Sequence, residues 1–429
     1  MLMLTCTLSL QAQIVADDLD DEEEDIEVTD EDPEDELTVT DADGNEEVID
    51  FPEAMTYDLD SLMNLYMSKT YLSQDDDCQT GSENPTFDKD VYIDRLRRLP
   101  TVIEMPYNEV VQKFIDRYSG RLRHSVSYML GAANFYVPIF EEALEAYDLP
   151  LELKYLPVIE SALNPKAVSR AGAAGLWQFM LTTGKQYGLE VNSLVDERRD
   201  PVKASYAAAH YLKDLYKIFG DWHLVIASYN CGPENVNKAI HRSGGKKDYW
   251  QIYPYLPRET RGYVPAFIGA MYAFHYAREY GLQPADVGMP AAVDTFEIRR
   301  NLHFKQINEV VGVPLETVKL LNPQYTHDII PGNSGTCILN LPYSWTGPFL
   351  AADLDSLYLH KANELLNAQV LKNIEESGGE TRIAYKVKSG DYLGKIAQKN
   401  HCTVAQLKKW NHLRSDKLRV GQILYIYRR

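Results

Sequence analysis

The sequence predicts a multidomain chain, with a mainly α domain followed by small α+β modules of βααβ plan. Three observations carry this. Apolar residues recur at three-to-four spacing through most of 91–282, the period of an amphipathic helix. From Thr295 the pattern changes to short β-like runs flanking short helical stretches. The last 46 residues repeat that second plan.

The chain has 429 residues, enough for two or three domains. Its net charge of −20 is concentrated at one end. Residues 17–50 hold 20 Asp and Glu, and no Lys or Arg precedes Lys69. The remainder carries 43 acidic and 43 basic residues, so it offers no basic field for nucleic acid. The acidic tract has too little apolar surface to offset its ordering entropy, and 14–90 is expected to be largely disordered. Residues 1–13 read as the end of a secretory signal, with an apolar core and small or polar residues near Ala12. A positive leading region is missing, and the residues before Cys6 do not favour lipidation. No later apolar run reaches the ~20 residues of a membrane helix. Cys6, Cys78, Cys231, Cys337 and Cys402 are scattered, without metal-type spacing, and are expected as free thiols. No cofactor or metal is expected.

Helical patterning starts near Val91. Val110, Val111, Phe114 and Ile115 mark one helix within 107–118, and Met129, Phe135, Ile139 and Leu144 mark a longer one over 125–147. Pro157 argues for a kink or late start in the apolar stretch 151–162, which carries Glu160 near its end. Further helices are expected over 173–187, 201–219, 222–230, 233–242 and 260–280. Asp200-Pro201 is a start signal, an N-cap followed by proline at the first helical position. The second region reads as a strand at 295–299, helices at 303–312 and 314–322, and a strand at 336–341. A helix is expected within 349–376, broken at Ser377-Gly378-Gly379. The C-terminal unit reads as a strand at 385–387, helices at 393–400 and 403–410, and a strand at 422–427. The resulting division is 1–13, 14–90, 91–285, 293–345, 346–382 as a helical linker, and 383–429.

The chemistry centres on Ile159-Glu160-Ser161, followed by Gly175-Leu176-Trp177-Gln178 and Ser228-Tyr229-Asn230. Cleaving a glycosidic bond needs an acid that keeps its proton near neutral pH. Apolar neighbours such as Leu156, Pro157, Val158 and Ile159 favour that by penalising the anion. Ser161 could orient the carboxyl. Gly175 permits a close turn, and Gln178 offers both a donor and an acceptor. Asp196, Glu197, Asp200 and Glu259 are candidates for a second carboxylate. There is no Walker loop, no dinucleotide-type glycine motif and no HExxH.

The order and spacing of these motifs resemble the lytic transglycosylases of the goose-type-lysozyme superfamily, and the wider context resembles the membrane-bound lytic murein transglycosylase D family. Glu259-Thr260-Arg261-Gly262-Tyr263-Val264-Pro265 matches a further family segment. The resemblance implies a lysozyme-like catalytic domain that cuts peptidoglycan glycan strands, with Glu160 as acid and then base. It implies that Tyr229 hydrogen-bonds near the acid or the substrate N-acetyl group, that Asn230 is a structural or substrate-contacting neighbour, and that Tyr263 faces the cleft, with Ser161 and Gln178 completing the substrate-binding candidates. Trp177 reads equally as an indole that stacks on a sugar face and as a core aromatic. Glu259 and Arg261 are read as structural. The C-terminal unit resembles a lysin motif (LysM), a module binding N-acetylglucosamine-containing glycans, through Val387, Ser389-Gly390-Asp391, Leu393, Ile396-Ala397, Leu407, Asn411, Leu413, Leu418 and Gly421-Gln422-Ile423-Leu424. Gly390, Asp391, Tyr392, Asn411 and Leu413 are the glycan-binding candidates. Tyr392 departs from the family's usual threonine. Residues 293–345 resemble a degenerate copy that keeps Leu321-Asn322-Pro323, and a packing role against the helical domain stands beside sugar binding. The expected partner is peptidoglycan, alongside peripheral membrane or envelope-protein association, and not nucleic acid; the expected place is the cell envelope or periplasm, with outer-membrane association open, and the expected state a monomer. A muramidase that uses water and a wall-binding scaffold without catalysis remain open alternatives.

Overall fold

The computed structural model describes residues 37–40, 46–56, 84–169, 171–377, 381–388, 391–399, 402–411, 413, 415–419 and 421–428. The signal-like residues 1–13, Cys6, Cys78 and Gly390 lie outside the described residues.

The helical region opens with α1 (Lys89–Arg98), α2 (Glu109–Ser119) and α3 (Arg123–Ala146). Asn108 caps α2 by accepting from Val111 N at 2.9 Å. A 3-10 turn, Leu151–Tyr155, leads into the short α4, Leu156–Ser161, with Pro157 in its first turn. The proline thus sits where its missing N–H costs nothing.

Helix α5 covers only Leu181–Gln186, which corrects the expected helix over 173–187. Residues 173–179 instead form a tight loop with bridges Val168–Ala174 and Ala174–Phe179. Gly175 and Gln178 both take positive φ there, which a helix cannot accommodate. Helices α6 (Pro201–Phe219), α7 (Trp222–Cys231) and α8 (Pro233–Arg242) follow, then a short α9 (Tyr249–Ile252) and α10 (Arg258–His275). Asp200 caps α6 by accepting from Val202 N and Lys203 N, both at 3.0 Å. Asp221 caps α7 through Leu224 N at 2.9 Å. Helix α10 is buried on nearly every face and packs against α2, α4 and α7, so it is the central post of this region. Phe114, Phe140, Trp177, Leu212, Phe267 and Tyr272 are among the fully buried side chains of one continuous core.

Two described stretches before α1, 37–40 and 46–56, form regular structure within the region expected to be largely disordered. Strands β1 (Leu37–Thr40) and β2 (Glu46–Ile49) pair antiparallel, and a 3-10 turn covers Glu53–Thr56. Ile49, Ala54 and Met55 are buried in the helical region's core. A few apolar residues at and just beyond the end of the acidic tract dock this segment by burying their side chains.

The next unit pairs β3 (Val293–Ile298) with β6 (Cys337–Pro342), and β4 (Asn301–His303) with β5 (Ile329–Pro331), around α11 (Phe304–Val311) and α12 (Leu315–Leu321). Leu302, Ile307, Val318, Ile330 and Leu339 form its core. In place of one long helix come α13 (Thr346–Ala351), α14 (Leu354–Leu359), α15 (Ala362–Leu365) and α16 (Ala368–Ser377). Asp353 restarts the chain as an N-cap to Ser356 N, and Lys361 takes a left-handed conformation. Phe349 and Leu357 enter the unit's core. The unit also docks on the helical region. Val195 bridges Tyr325, Asp196 N donates to Gln324 O at 2.8 Å, and Thr326 Oγ1 donates to Ser193 O at 2.7 Å.

The last unit pairs β7 (Thr381–Lys386) with β8 (Ile423–Arg428) around α17 (Leu393–Lys399) and α18 (Val404–Trp410). It shares one device with the preceding unit. Asn411 donates to Leu407 O at 3.0 Å and Tyr425 O at 2.7 Å, and accepts from Tyr425 N at 2.6 Å. Asn322 donates to Val318 O and Asn340 O and accepts from Asn340 N, each at 2.8 Å. In both units one asparagine after the second helix closes that helix and pins it to the last strand. Among the described residues, no helix is long and apolar enough to cross a membrane.

Candidate active site around Glu160

Glu160 is carried by the last turn of α4, and part of its side chain still reaches solvent. The chain turns sharply just beyond it. Ala162 and Leu163 both take left-handed conformations, with φ of +49° and +61°, and Gln178 does the same at +47°. Each such non-glycine residue costs on the order of 1–2 kcal/mol, and such strain concentrates at functional sites.

Tyr263, on α10, donates a hydrogen bond to Glu160 Oε1. Burial pushes the Glu160 carboxyl up from 4.5 to about 8. The Tyr263 hydrogen bond acts the other way, and the charges of Glu259 and Glu53 reinforce the rise. Burial, and then the charge of Glu160, holds the phenols of Tyr229 and Tyr263 well above their ordinary value. Both therefore stay protonated donors at neutral pH. The group is a carboxyl that keeps its proton, supported by a phenol that can stabilise it once the proton leaves.

The loop 175–178 is fixed by three side chains that bond its backbone carbonyls or those beside it. Ser161 Oγ donates to Leu176 O at 2.9 Å and to Pro157 O at 3.0 Å. Tyr229 OH donates to Trp177 O at 2.8 Å. Arg198 donates to Gly172 O at 3.0 Å and Phe179 O at 3.2 Å. A Cβ on Gly175 would lie 1.8 Å from Arg198 O, so only glycine fits this φ of +84° so close to another backbone.

These contacts revise several expected roles. Ser161 is fully buried and bonds carbonyls, so it joins the acid's helix to the loop and does not orient the carboxyl. Trp177 is fully buried, with its indole N–H given to Ser205 Oγ at 2.9 Å, and it is a core aromatic with no face for a sugar. Tyr229 reaches the loop carbonyl, and Tyr263 is the phenol on Glu160. Asn230 accepts from Thr260 Oγ1 at 2.7 Å and donates to Glu259 Oε1 at 3.3 Å, which joins α7 to the start of α10. Gln178 donates to Gly175 O at 2.8 Å and Ala167 O at 3.3 Å, and its buried Oε1 accepts no hydrogen bond among the described residues. Arg261 donates to Leu256 O and Pro254 O, a structural role as expected.

Three of the four weighed carboxylates serve the scaffold. Asp196 grips Arg198, Glu197 accepts from Glu190 N and Lys203, and Asp200 caps α6. Glu259 and Glu53 are the carboxylates whose charge reaches Glu160. Glu53 was not anticipated, because it follows an acidic tract whose composition suggests no fold.

In the C-terminal unit, Asp391 Oδ2 accepts from Lys388 N at 2.9 Å and Tyr385 OH at 2.8 Å, closing the turn after β7. Leu413 packs on the small core around Ile396 and Leu407. Asn411 is committed to backbone, as described above. Tyr392 alone of the described candidates is broadly exposed, at 63%.

Part of the chain is similar to the transglycosylase SLT-domain family. That family's model matches 138–252, and a LysM domain matches 385–426. Its layout is that of the MltD-like type, because residues 292–355 match the LysM-like domain of lytic transglycosylase MltD. The chain is 32% identical over 283 residues to membrane-bound lytic murein transglycosylase D of Escherichia coli (strain K12), covering 65% of this chain and 60% of that protein. It thus spans less than two thirds of that relative's length. It is 35% identical over 111 residues to soluble lytic murein transglycosylase of Escherichia coli (strain K12), covering 24% of this chain and 17% of the relative. A crystal structure of the 70 kDa soluble lytic transglycosylase of Escherichia coli matches 35% of this chain and 26% of its own, at 27% identity and a TM-score of 0.29.

Proposed function

We propose that this protein is a peptidoglycan lytic transglycosylase that cleaves the bond between N-acetylmuramic acid and N-acetylglucosamine and leaves 1,6-anhydro ends. The observation that carries the reading is the Glu160 carboxyl, which burial holds protonated to about pH 8 with the Tyr263 phenol on Oε1.

Glu160 gives its proton to the bridging oxygen as the bond from the muramic anomeric carbon breaks. The positive charge left at that carbon is shared with the sugar's own N-acetyl group or ring oxygen. The new Glu160 carboxylate is stabilised by Tyr263 and takes the proton of the muramic 6-hydroxyl. The 6-oxygen then bonds to the anomeric carbon. Protons balance over the two halves and no water is consumed, so one carboxylate suffices. Gln178 Oε1 supplies an acceptor for an acetamido N–H or a hydroxyl.

The C-terminal LysM unit holds the glycan strand, and the enzyme works as a monomer in the periplasm or at the envelope. Removing 384–429 is expected to weaken sacculus binding and to leave activity on short soluble glycans. Digestion of purified peptidoglycan by the parent and by Glu160→Gln, with mass spectrometry of the released muropeptides, tests the activity. Glu160-dependent anhydro ends are expected. Reducing muramic ends would make it a hydrolase, and no release with retained binding would leave a scaffold.

A further inference from the structure

We propose that residues 46–56 form a fixed strap of the Glu160 site, and that Glu53, carried by this strap, is a positioning residue for the Glu160 carboxyl. The inference rests on the reading of Glu160 as the acid. The strap lies outside the residues that match the transglycosylase family model, 138–252.

The strap is anchored on the elements that hold the acid and its phenol. The 3-10 turn Glu53–Thr56 packs directly on α4, the Glu160 helix, and β2 packs on α10, the Tyr263 helix. Its apolar residues Ile49, Ala54 and Met55 are buried. A Cβ on Gly262, the residue beside Tyr263, would lie 2.6 Å from Asp50 O, so the strap backbone needs glycine there to lie this close to α10. Arg258 Nε donates to Val48 O at 2.8 Å, and its guanidinium lies 3.9 Å from the Asp50 carboxylate. The Phe51 ring meets Phe114 edge-on at 5.2 Å and lies under the Arg117 guanidinium at 3.8 Å. A segment held by ring packing, backbone contact and an ion pair presents its carboxylate in a repeatable place.

The groups acting on Glu160 come from three elements. Helix α10 contributes Tyr263, which favours the anion, and Glu259, which opposes it. Helix α7 presents Tyr229, whose phenol is held well above its ordinary value by burial and then by the charge of Glu160. The strap contributes Glu53, which opposes the anion. A fixed like charge makes ionisation of Glu160 costlier and so favours the acid form that starts the reaction. The same repulsion makes the later carboxylate a stronger base, so one residue assists both halves.

The test uses the full chain, its Glu53→Gln and Glu53→Asp variants, and two readouts. Carbon-13 NMR follows titration of the Glu160 carboxyl, assigned by its loss in Glu160→Gln. The pH profile of anhydromuropeptide release follows catalysis. In Glu53→Gln the Glu160 midpoint and the basic limb of the profile are expected to fall together, by roughly half to one pH unit. Glu53→Asp keeps the charge and is expected to restore most of that interval. A Glu160 midpoint unchanged in Glu53→Gln would overturn the proposal. Absence of product from the parent at every pH would overturn the transglycosylase reading instead, while the titration would still report on Glu53.

Discussion

Arg198 offers a direct test of how the loop beside Glu160 is held. Its guanidinium grips Asp196 with two hydrogen bonds, Nε to Oδ1 at 2.9 Å and a terminal nitrogen to Oδ2 at 2.8 Å. The remaining terminal nitrogen serves the carbonyls of Gly172 and Phe179, at the two ends of the turn that contains Gly175 and Gln178. Both side chains of the pair are almost completely buried, at 6% and 7% exposure. Arg198→Ala leaves the buried Asp196 carboxylate with Arg199 Nε at 3.7 Å and the backbone N–H of residue 198 at 3.2 Å, and leaves two carbonyls short of a donor. Breaking a buried pair from one side costs about 3–5 kcal/mol, and the carbonyls fall within that range because the losses are not additive. For a helical region of this size, each kcal/mol lowers Tm by about 2–4 °C, so a fall of about 6–20 °C is expected. Arg198→Lys keeps the charge but not the fork, and is expected to fall between the two. Thermal melts by far-UV circular dichroism measure the stability effect. Peptidoglycan digestion at 25 °C, where the folded state still dominates, measures the effect on the site. An Arg198→Ala protein melting within a degree or two of the parent would refute the assigned role. So would one with a lowered Tm but unchanged turnover, as far as the loop's link to catalysis is concerned.

Glu160 holds its proton more tightly in the folded protein than at the ordinary carboxylate value of 4.5, so stability falls as pH rises from about 4.5 to about 8. Glu160→Gln removes that loss and is expected to be more stable than the parent at pH 9, on the order of 3–5 kcal/mol, with the gap closing near pH 5. Urea titrations at the two pH values check it, and equal differences at both would count against a buried protonated acid. Tyr263→Phe removes the hydrogen bond that favours the Glu160 anion. The basic limb of its pH profile is expected to move to higher pH, with kcat reduced by about 10–100-fold as the carboxylate loses its donor. A limb moving to lower pH would contradict the geometry. Asn411→Ala loses three backbone hydrogen bonds in a small module and is expected to cost it about 2–3 kcal/mol. Loss of dispersed amide signals from the C-terminal unit, together with loss of sacculus binding, would check this. A folded module with weakened binding would return Asn411 to a direct glycan role.

What the sequence determined by itself follows from local physics. Helical period, the Asp200-Pro201 start and the switch to strand–helix–helix–strand units are written in neighbouring residues, and those elements appear within a few positions of where they were expected. Glu160 was legible because an acid set in an apolar run, followed at fixed intervals by two further motifs, is an uncommon arrangement. The expected helix over 173–187 failed because tertiary contacts, not propensity, force positive φ at Gly175 and Gln178. Which side chains touch the acid was also undecided along the chain. Ser161 is adjacent to Glu160 in sequence yet turns into the core, while Tyr263 arrives from 103 residues away. Glu53 is the clearest case, because composition describes the average of an acidic tract, whereas docking depends on Ile49, Ala54 and Met55 meeting a surface that exists only once α2, α4 and α10 have packed. Periodicity and capping act over one or two turns of chain. The electrostatics of a buried carboxyl depend on every charge that folding brings near it, and only the tertiary structure decides which those are.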